Sequence, residues 1–407
     1  MSIEARLRDA GLPALRRPVW LEIDVGALGG NVRAIAARVG PDTAVWPVVK
    51  ADGYGHGLEV AARVFLAAGA SGVCVASLDE ALALRAAGIA GAVLILYPVP
   101  VDMMEEAAGH GFHLTVSTTA DATALAARWV VSGGAGRGNT LRLHLEIDTG
   151  LTRMGITPGE ARATLEQLAA PGLSVVAVWS HLATPEDTVA STHQEGRLAQ
   201  ALNAARSRGD TTDHHLAATG GLLTGRGVDA AMVRPGLLAY GVTPAVDIEQ
   251  PPDFRPAMRI KARAIRIAQI AEGTAVGYGG TWVAGRTSRV ATLPIGYGDG
   301  YPRSMTGAPV LVRGQRAPIV GVVSMDALMV DVTEVAGVSA ADEFVLLGSQ
   351  GTDVITCLDL AQWRNTIPWE VLTGMARRPT RVYDASVGLL GVRTLAGETL
   401  VRDASWS

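Results

Sequence analysis

Short apolar runs bounded by turn residues alternate with alanine-rich stretches of helical spacing through the first part of the chain. The strand-like runs are Val45–Val49, Val73–Ala76, Val93–Leu96, His113–Val116, Leu141–Ile147, Val175–Trp179, His214–Ala217 and Met232–Val233. Runs without polar alternation suit strands covered on both faces, as in a parallel sheet. Between most of them lie Leu58–Ala68, Leu78–Ala87, Ala120–Val130, Pro158–Ala169 and Thr192–Arg208, which read as helices. Eight strand signals alternating with helices predict a (β/α)8 TIM barrel over residues 19–242. An open doubly wound sheet is the alternative, weakened by the lack of a GxGxxG turn.

Near Thr243 the pattern changes. A proline-rich passage, QPPDFRP, precedes short runs punctuated by glycine: Met258–Ile267, Arg289–Pro294, Val310–Val312, Ala317–Val323, Leu328–Val332 and Glu343–Leu347. They predict a predominantly β C-terminal domain over 243–407, which the alternating segment Val19–Ile23 could join. Residues 1–18 read as an N-terminal extension that mixes acidic and basic side chains and lacks the apolar run of a secretory signal. The longest apolar stretch, Ile89–Val101, is too short to span a bilayer and holds two prolines.

Composition narrows the function classes. A net charge of −4 gives no footprint for nucleic acid, and no membrane association is expected. Two cysteines, Cys74 and Cys357, suit a reducing compartment, so a cytoplasmic protein is expected. Only two lysines occur, Lys50 and Lys261. Arginine carries almost all other positive charge, so solubility does not explain Lys50. It ends the apolar run Ala44–Val49 and precedes a glycine-rich turn, Ala51-Asp52-Gly53-Tyr54-Gly55-His56-Gly57. A lysine can lose its proton when partly desolvated and then form a Schiff base, which arginine cannot do. In a barrel, ligands sit at the carboxyl ends of the strands. Asp148, Arg153, His181, Thr219 and Arg234 fall just after later apolar runs, where they would face a common ligand.

The string VVKADGYGHG resembles the pyridoxal-phosphate lysine motif of alanine racemases, and the resemblance extends from about Trp20 to Tyr383. It implies that Lys50 holds pyridoxal 5'-phosphate through its amine and that Tyr54 reaches the phosphate. The run Met232-Val233-Arg234-Pro235-Gly236-Leu237 resembles the motif whose arginine meets the pyridine nitrogen. The amides of Gly236 and Leu237, with the Thr219 hydroxyl, would then cradle the phosphate. An arginine at that nitrogen keeps its own protons, so the ring stays a weak electron sink and reprotonation is favoured over transamination. His181, in WSHLAT, matches the family histidine beside the cofactor.

Racemisation needs a base on each face of Cα. The resemblance assigns one face to Lys50 and the other to Tyr278, in AVGYGGTW, reaching the barrel of the other subunit in a head-to-tail homodimer. Arg153 and the Met325 amide would bind the substrate carboxylate, with Tyr297 near the entrance. No metal site is expected. Two positions depart from the pattern. Glu146 stands where many relatives carry a modified lysine, and it is expected to pair with Arg153. Arg377 stands where the family usually has a tyrosine near the phosphate and entrance, and it could add a phosphate contact or widen and charge the pocket for a side chain larger than methyl. The activity that the resemblance implies is interconversion of L- and D-alanine. Racemisation of serine or another polar amino acid is the first alternative, and a decarboxylase or a non-catalytic carrier of the same cofactor the second.

Overall fold

The computed structural model describes residues 2–134, 140–209, 213–245, 248, 250–401 and 406. The chain folds as two units. One comprises Gly29–Gly53 and Leu58–Ala239, the other Met1–Leu28, Tyr54–Gly57 and Tyr240–Ser407.

In the first unit six parallel strands pair in chain order: Gly72–Val75, Ala92–Ile95, His113–Val116, Leu141–Glu146, Leu173–Trp179 and His214–His215. Ala44–Val45 pairs in parallel with Met232–Val233. Val48 bridges to Cys74, and the Arg234 amide donates to the Ala217 carbonyl. These bonds tie the first strand to the second and the eighth to the seventh, closing the expected barrel. Pro47 has no N–H to give a ladder, so regular pairing of the first strand is brief. Its extended course nevertheless continues, because the Val48 and Val49 amides donate to the carbonyls of Pro235 and Cys74.

Helices cover the barrel at Leu58–Ala67, Leu78–Ala86, Thr119–Val131, Ala161–Gln167 and Thr188–Arg206. Their starts follow from capping residues: the Ser77, Thr118 and Asp187 side chains accept from the amides of Glu80, Asp121 and Ala190. Val60, Ala61, Val64 and Phe65 form the inward stripe of the first of these, each wholly buried. Burying a side chain as large as Val64 or Phe65 contributes about 1.5–3 kcal/mol. Short helices at Met104–Gly109 and Thr219–Thr224 add to the expected set. The second, TGGLLT, carries no helical periodicity that sequence could reveal.

The second unit is built on a sheet whose strand order begins with 266–270, 288–293, 328–331, 315–320, 309–312 and 343–350. It continues through 258–263, 19–24, 380–385, 388–394 and 397–400. Strand Val19–Asp24 lies inside it, antiparallel to Met258–Arg263 and parallel to Thr380–Ala385. Helix Ile3–Asp9 packs Ile3 and Leu7 against Trp20, Val382 and Val392. Ion pairs from Arg6 to Asp384 and from Glu4 to Arg263 hold its polar face. Among the described residues no helix is long and apolar enough to cross a membrane, and no group of three or more His, Cys, Asp or Glu could hold a metal.

Candidate active site

Lys50 stands at the carboxyl end of the first barrel strand, and the chain leaves it by an unusual turn. Ala51, Asp52, Gly53 and Tyr54 all adopt positive φ, between 50° and 61°. Three of these are not glycine, and an L-residue there costs about 1–2 kcal/mol each. Surrounding bonds hold the barrel part of the turn in place. Glu80 accepts from the amides of Ala51 and Ala76, both at 2.7 Å, and Asp52 accepts from the Leu58 amide at 3.2 Å. Burial and the nearby Arg153 charge hold the Lys50 amine below its ordinary pKa, opposed by Glu80 and Cys74. Its Nζ lies 6.0 Å from the centre of the Tyr97 ring, and the Arg153 guanidinium lies 5.6 Å from the same ring. By contrast, the other lysine, Lys261, is engaged with Glu22 and Glu343.

Arg234 is buried, its guanidinium 4.6 Å from the centre of the Trp179 ring. It donates to the Ser180 carbonyl at 2.9 Å and to His215 Nδ1. From His215 a chain of rings continues: Nε2 of His215 meets Nδ1 of His144 at 2.8 Å, and Nε2 of His144 meets Nδ1 of His113 at 2.9 Å. Guanidinium has no acceptor, so the donor inventory fixes every proton in this chain. His215 must accept at Nδ1 and therefore carries its proton on Nε2, and His144 follows in the same sense. Burial, with the Arg234 charge as the next cause, holds His215 well below the ordinary pKa. Burial likewise holds His144 well below it and takes His113 to about 4. All three rings are neutral near pH 7. Arg234 is lowered by its burial only to about 10, so it remains a cation facing neutral partners.

His181 follows the sixth strand. Its pKa falls to about 3 because it is desolvated beside Arg234, Arg153 and Lys50. The same three cations place it among the lysine and the two arginines. Gln194 holds its loop, donating to the His181 carbonyl and the Thr149 hydroxyl while accepting from the Ala183 amide.

The Thr219 hydroxyl accepts from the Leu238 amide at 3.1 Å, tying the loop after the eighth strand to the one after the seventh. Gly236 and Leu237 are buried, and among the described residues no acceptor takes their amide protons. Buried donors without an acceptor are costly, and two in succession mark a place for an anion.

The expected pair of Glu146 and Arg153 does not form. The Ser117 hydroxyl donates to Glu146 at 2.6 Å, and no ion pair within 4.0 Å joins Glu146 to the arginine. Asp148 accepts from the amides of Gly150 and Thr152, and Thr152 turns with φ of 55°. Arg153 leaves this turn exposed, beside the Tyr97 ring. Glu146 is raised by burial, opposed by the Ser117 bond and by the charges of Arg153 and Arg234.

The remaining expected residues belong to the β unit. Tyr278 sits in a glycine-flanked turn with its ring 70% exposed, Tyr297 is 44% exposed and Met325 52%. The Met325 amide donates to no acceptor among the described residues. Tyr54 stacks on Tyr240 with ring centres 5.0 Å apart. Gly55 follows with its carbonyl accepting from the buried Arg381 at 2.7 Å. Arg377 is exposed. Sequence reasoning passed over Glu80, Tyr97, Ser117, Gln194 and the histidine chain. A histidine or glutamate inside an otherwise apolar barrel strand was the available signal for His113, His144 and His215.

Two family models match the chain: "Alanine racemase, N-terminal domain" over residues 23–244 and "Alanine racemase, C-terminal domain" over 257–383. An alanine racemase of Syntrophobacter fumaroxidans is 36% identical over 362 residues, covering 88% of this chain and 95% of that protein. The crystal structure of alanine racemase from Bacillus anthracis with bound L-Ala-P superposes with a TM-score of 0.88 at 30% identity, covering 94% of this chain and 99% of the other. A histidine racemase from Leuconostoc mesenteroides reaches a TM-score of 0.81 at 29% identity, covering 91% and 99%.

Proposed function

The chain belongs to the alanine racemase family, and from that premise we propose that it interconverts L- and D-alanine with pyridoxal 5'-phosphate at the carboxyl end of its barrel. The residues present fit that cofactor. Lys50 offers an amine held below its usual pKa, and Gly236 and Leu237 offer unused buried amides for a phosphate beside the Thr219 hydroxyl. Tyr54 adds a phosphate contact. When bound, the cofactor supplies a conjugated ring that accepts negative charge from an amino-acid Cα.

Arg234 carries the reading. Its guanidinium is bonded to a neutral His215 and keeps its own protons, so it can face the ring nitrogen without protonating it. Lys50 Nζ takes or returns the Cα proton on one face. Tyr278 Oη does so on the other, contributed by the second chain of a homodimer. A phenol is a better base beside cations, which Arg234 and Arg153 at the end of a partner's barrel would supply to Tyr278. Arg153 and the Met325 amide hold the substrate carboxylate. His181 stays neutral and packs beside the cofactor. Two free, buried cysteines suit a cytoplasmic setting for this dimer.

Arg377 favours a second reading in which the pocket accepts serine or another polar side chain. The histidine racemase that shares this architecture makes it chemically reasonable. Incubation with L-alanine and L-serine in the presence of the cofactor, followed by chiral analysis, decides between them. Appearance of D-alanine at the higher kcat/KM supports the first reading. Carbon dioxide release without a change of hand would replace both with a decarboxylase.

A further inference from the structure

The two loops that carry Tyr297 and Met325 are joined through backbone. The Tyr297 amide donates to the Ser324 carbonyl at 3.1 Å and the Gly298 amide to the Met325 carbonyl at 2.9 Å. The approach is so close that a Cβ added to Gly296 would lie 2.1 Å from the Ser324 oxygen. Beneath this seam sits Asp299, a carboxylate with no exposed side-chain surface. It accepts from the Gly296 amide at 3.0 Å, which closes the Tyr297 turn on itself.

The cation for that carboxylate comes from Arg17. Its Nη1 donates to Asp299 Oδ1 at 2.6 Å and its Nη2 to Oδ2 at 2.7 Å, a planar fork on a planar acceptor. The same Nη2 also donates to the carbonyl of Pro294, which leads into the Tyr297 loop, and reaches that of Asp326, in the Met325 loop, at 3.4 Å. Arg378 approaches from another side, 3.5 Å from Asp299 and 2.7 Å from the Asp326 carboxylate. One guanidinium thus touches both loops and the buried charge between them. The matched family segments begin at residue 23, beyond Arg17.

The geometry points to Arg17 as a positioning residue for substrate. It fixes the register of the Tyr297 and Met325 loops, and so the place of the free Met325 amide that, on the function proposed above, meets the substrate carboxylate. Arg17 touches no reacting atom. Its loss leaves Asp299 buried beside Arg378 alone, which moves the loops and weakens carboxylate binding while the lysine chemistry in the barrel continues. Lysine would restore the charge without the fork and would correct the defect only in part.

The test compares Arg17→Ala and Arg17→Lys with the unaltered, cofactor-loaded enzyme in steady-state kinetics on L-alanine. For Arg17→Ala, KM should rise about tenfold or more with kcat held within about threefold, and Arg17→Lys should fall between. The visible absorption of the bound cofactor should not change. Millimolar guanidinium should lower the KM of Arg17→Ala, because the vacated site is partly open to solvent, the Arg17 side chain being 28% exposed. A KM within about twofold of the unaltered enzyme, or a fall in kcat alone, would overturn the assignment. If Arg17→Ala does not fold, the KM of Arg17→Lys decides by the same criterion. Failure of the unaltered enzyme to racemise L-alanine would instead strike the function proposed above.

Discussion

Acidification from pH 7 to pH 5 should destabilise the barrel through rings that its fold keeps neutral. His144 and His215 are wholly enclosed, with pKa values held well below the ordinary one, first by burial and then by neighbouring charges. The unfolded chain takes up protons at these rings near pH 6.5 and the native chain does not. Stability is therefore fully present above that pH and is lost as pH falls. A ring that stays neutral in the native chain down to pH 5 loses about 2 kcal/mol there and only a small fraction of that at pH 7. The pair thus removes about 4 kcal/mol, and His113 and His181, less enclosed, add to it in the same direction. Urea titrations at the two pH values measure the loss, with tryptophan fluorescence as probe. Trp179 stacks on His215 at 5.5 Å and 16°, so it reports on this part of the barrel. Carboxylates titrate over the same range, and a His144→Gln variant separates them: glutamine can donate and accept but does not titrate. The variant should lose about 2 kcal/mol less than its parent on acidification. An equal loss in both would mean that His144 takes up its proton in the native chain as readily as in the unfolded one. The neutral chain behind Arg234 would then be wrong.

The turn after Lys50 gives two changes of opposite sign. Ala51→Gly removes an exposed methyl from a residue with φ of 52° and should stabilise by about 0.5–1 kcal/mol in urea, after allowing for the greater freedom of glycine in the unfolded chain. Gly53→Ala should cost about 1–2 kcal/mol, because its Cβ would lie 3.1 Å from that of Ala61 at a φ of 61°. Destabilisation by the first, or neutrality of the second, would refute the left-handed turn. Arg153→Ala removes a cation that lowers the Lys50 pKa, so the pH at which added cofactor begins to attach to the amine should move upward. Absorbance titration reads that shift, and an unmoved midpoint would show that Lys50 does not feel Arg153.

The barrel was legible because most of its strands are short apolar runs closed by turn chemistry, and the place of Lys50 at a strand end because it follows such a run. What escaped the sequence depends on register. His113, His144 and His215 come from three separate strands, and only the parallel pairing of His113 with Arg142 and of Trp179 with His215 lines their rings into one chain. The Glu146 partner was misjudged for a local reason. Counting residues placed Arg153 near the strand end, whereas the Asp148 turn and the positive φ of Thr152 send it outward and leave Ser117 to bond the carboxylate. The left-handed conformation at Ala51 and Tyr54 contradicts the preferences of those residue types, and nothing in their identity announces it. Residues so strained persist where the surroundings over-determine them, here the Glu80 bond beside the candidate cofactor lysine.

We propose that Lys50 of one chain and Tyr278 of another act on opposite faces of the same amino acid. Mixing a Lys50→Ala chain with a Tyr278→Ala chain tests it most directly. Each variant alone should fail to racemise L-alanine. After subunit exchange, verified by native mass spectrometry, each mixed dimer should hold one site with both bases intact and recover part of the original turnover. A mixed dimer that forms but stays inactive, or a Tyr278→Ala chain that racemises alone at the full rate, would contradict the account.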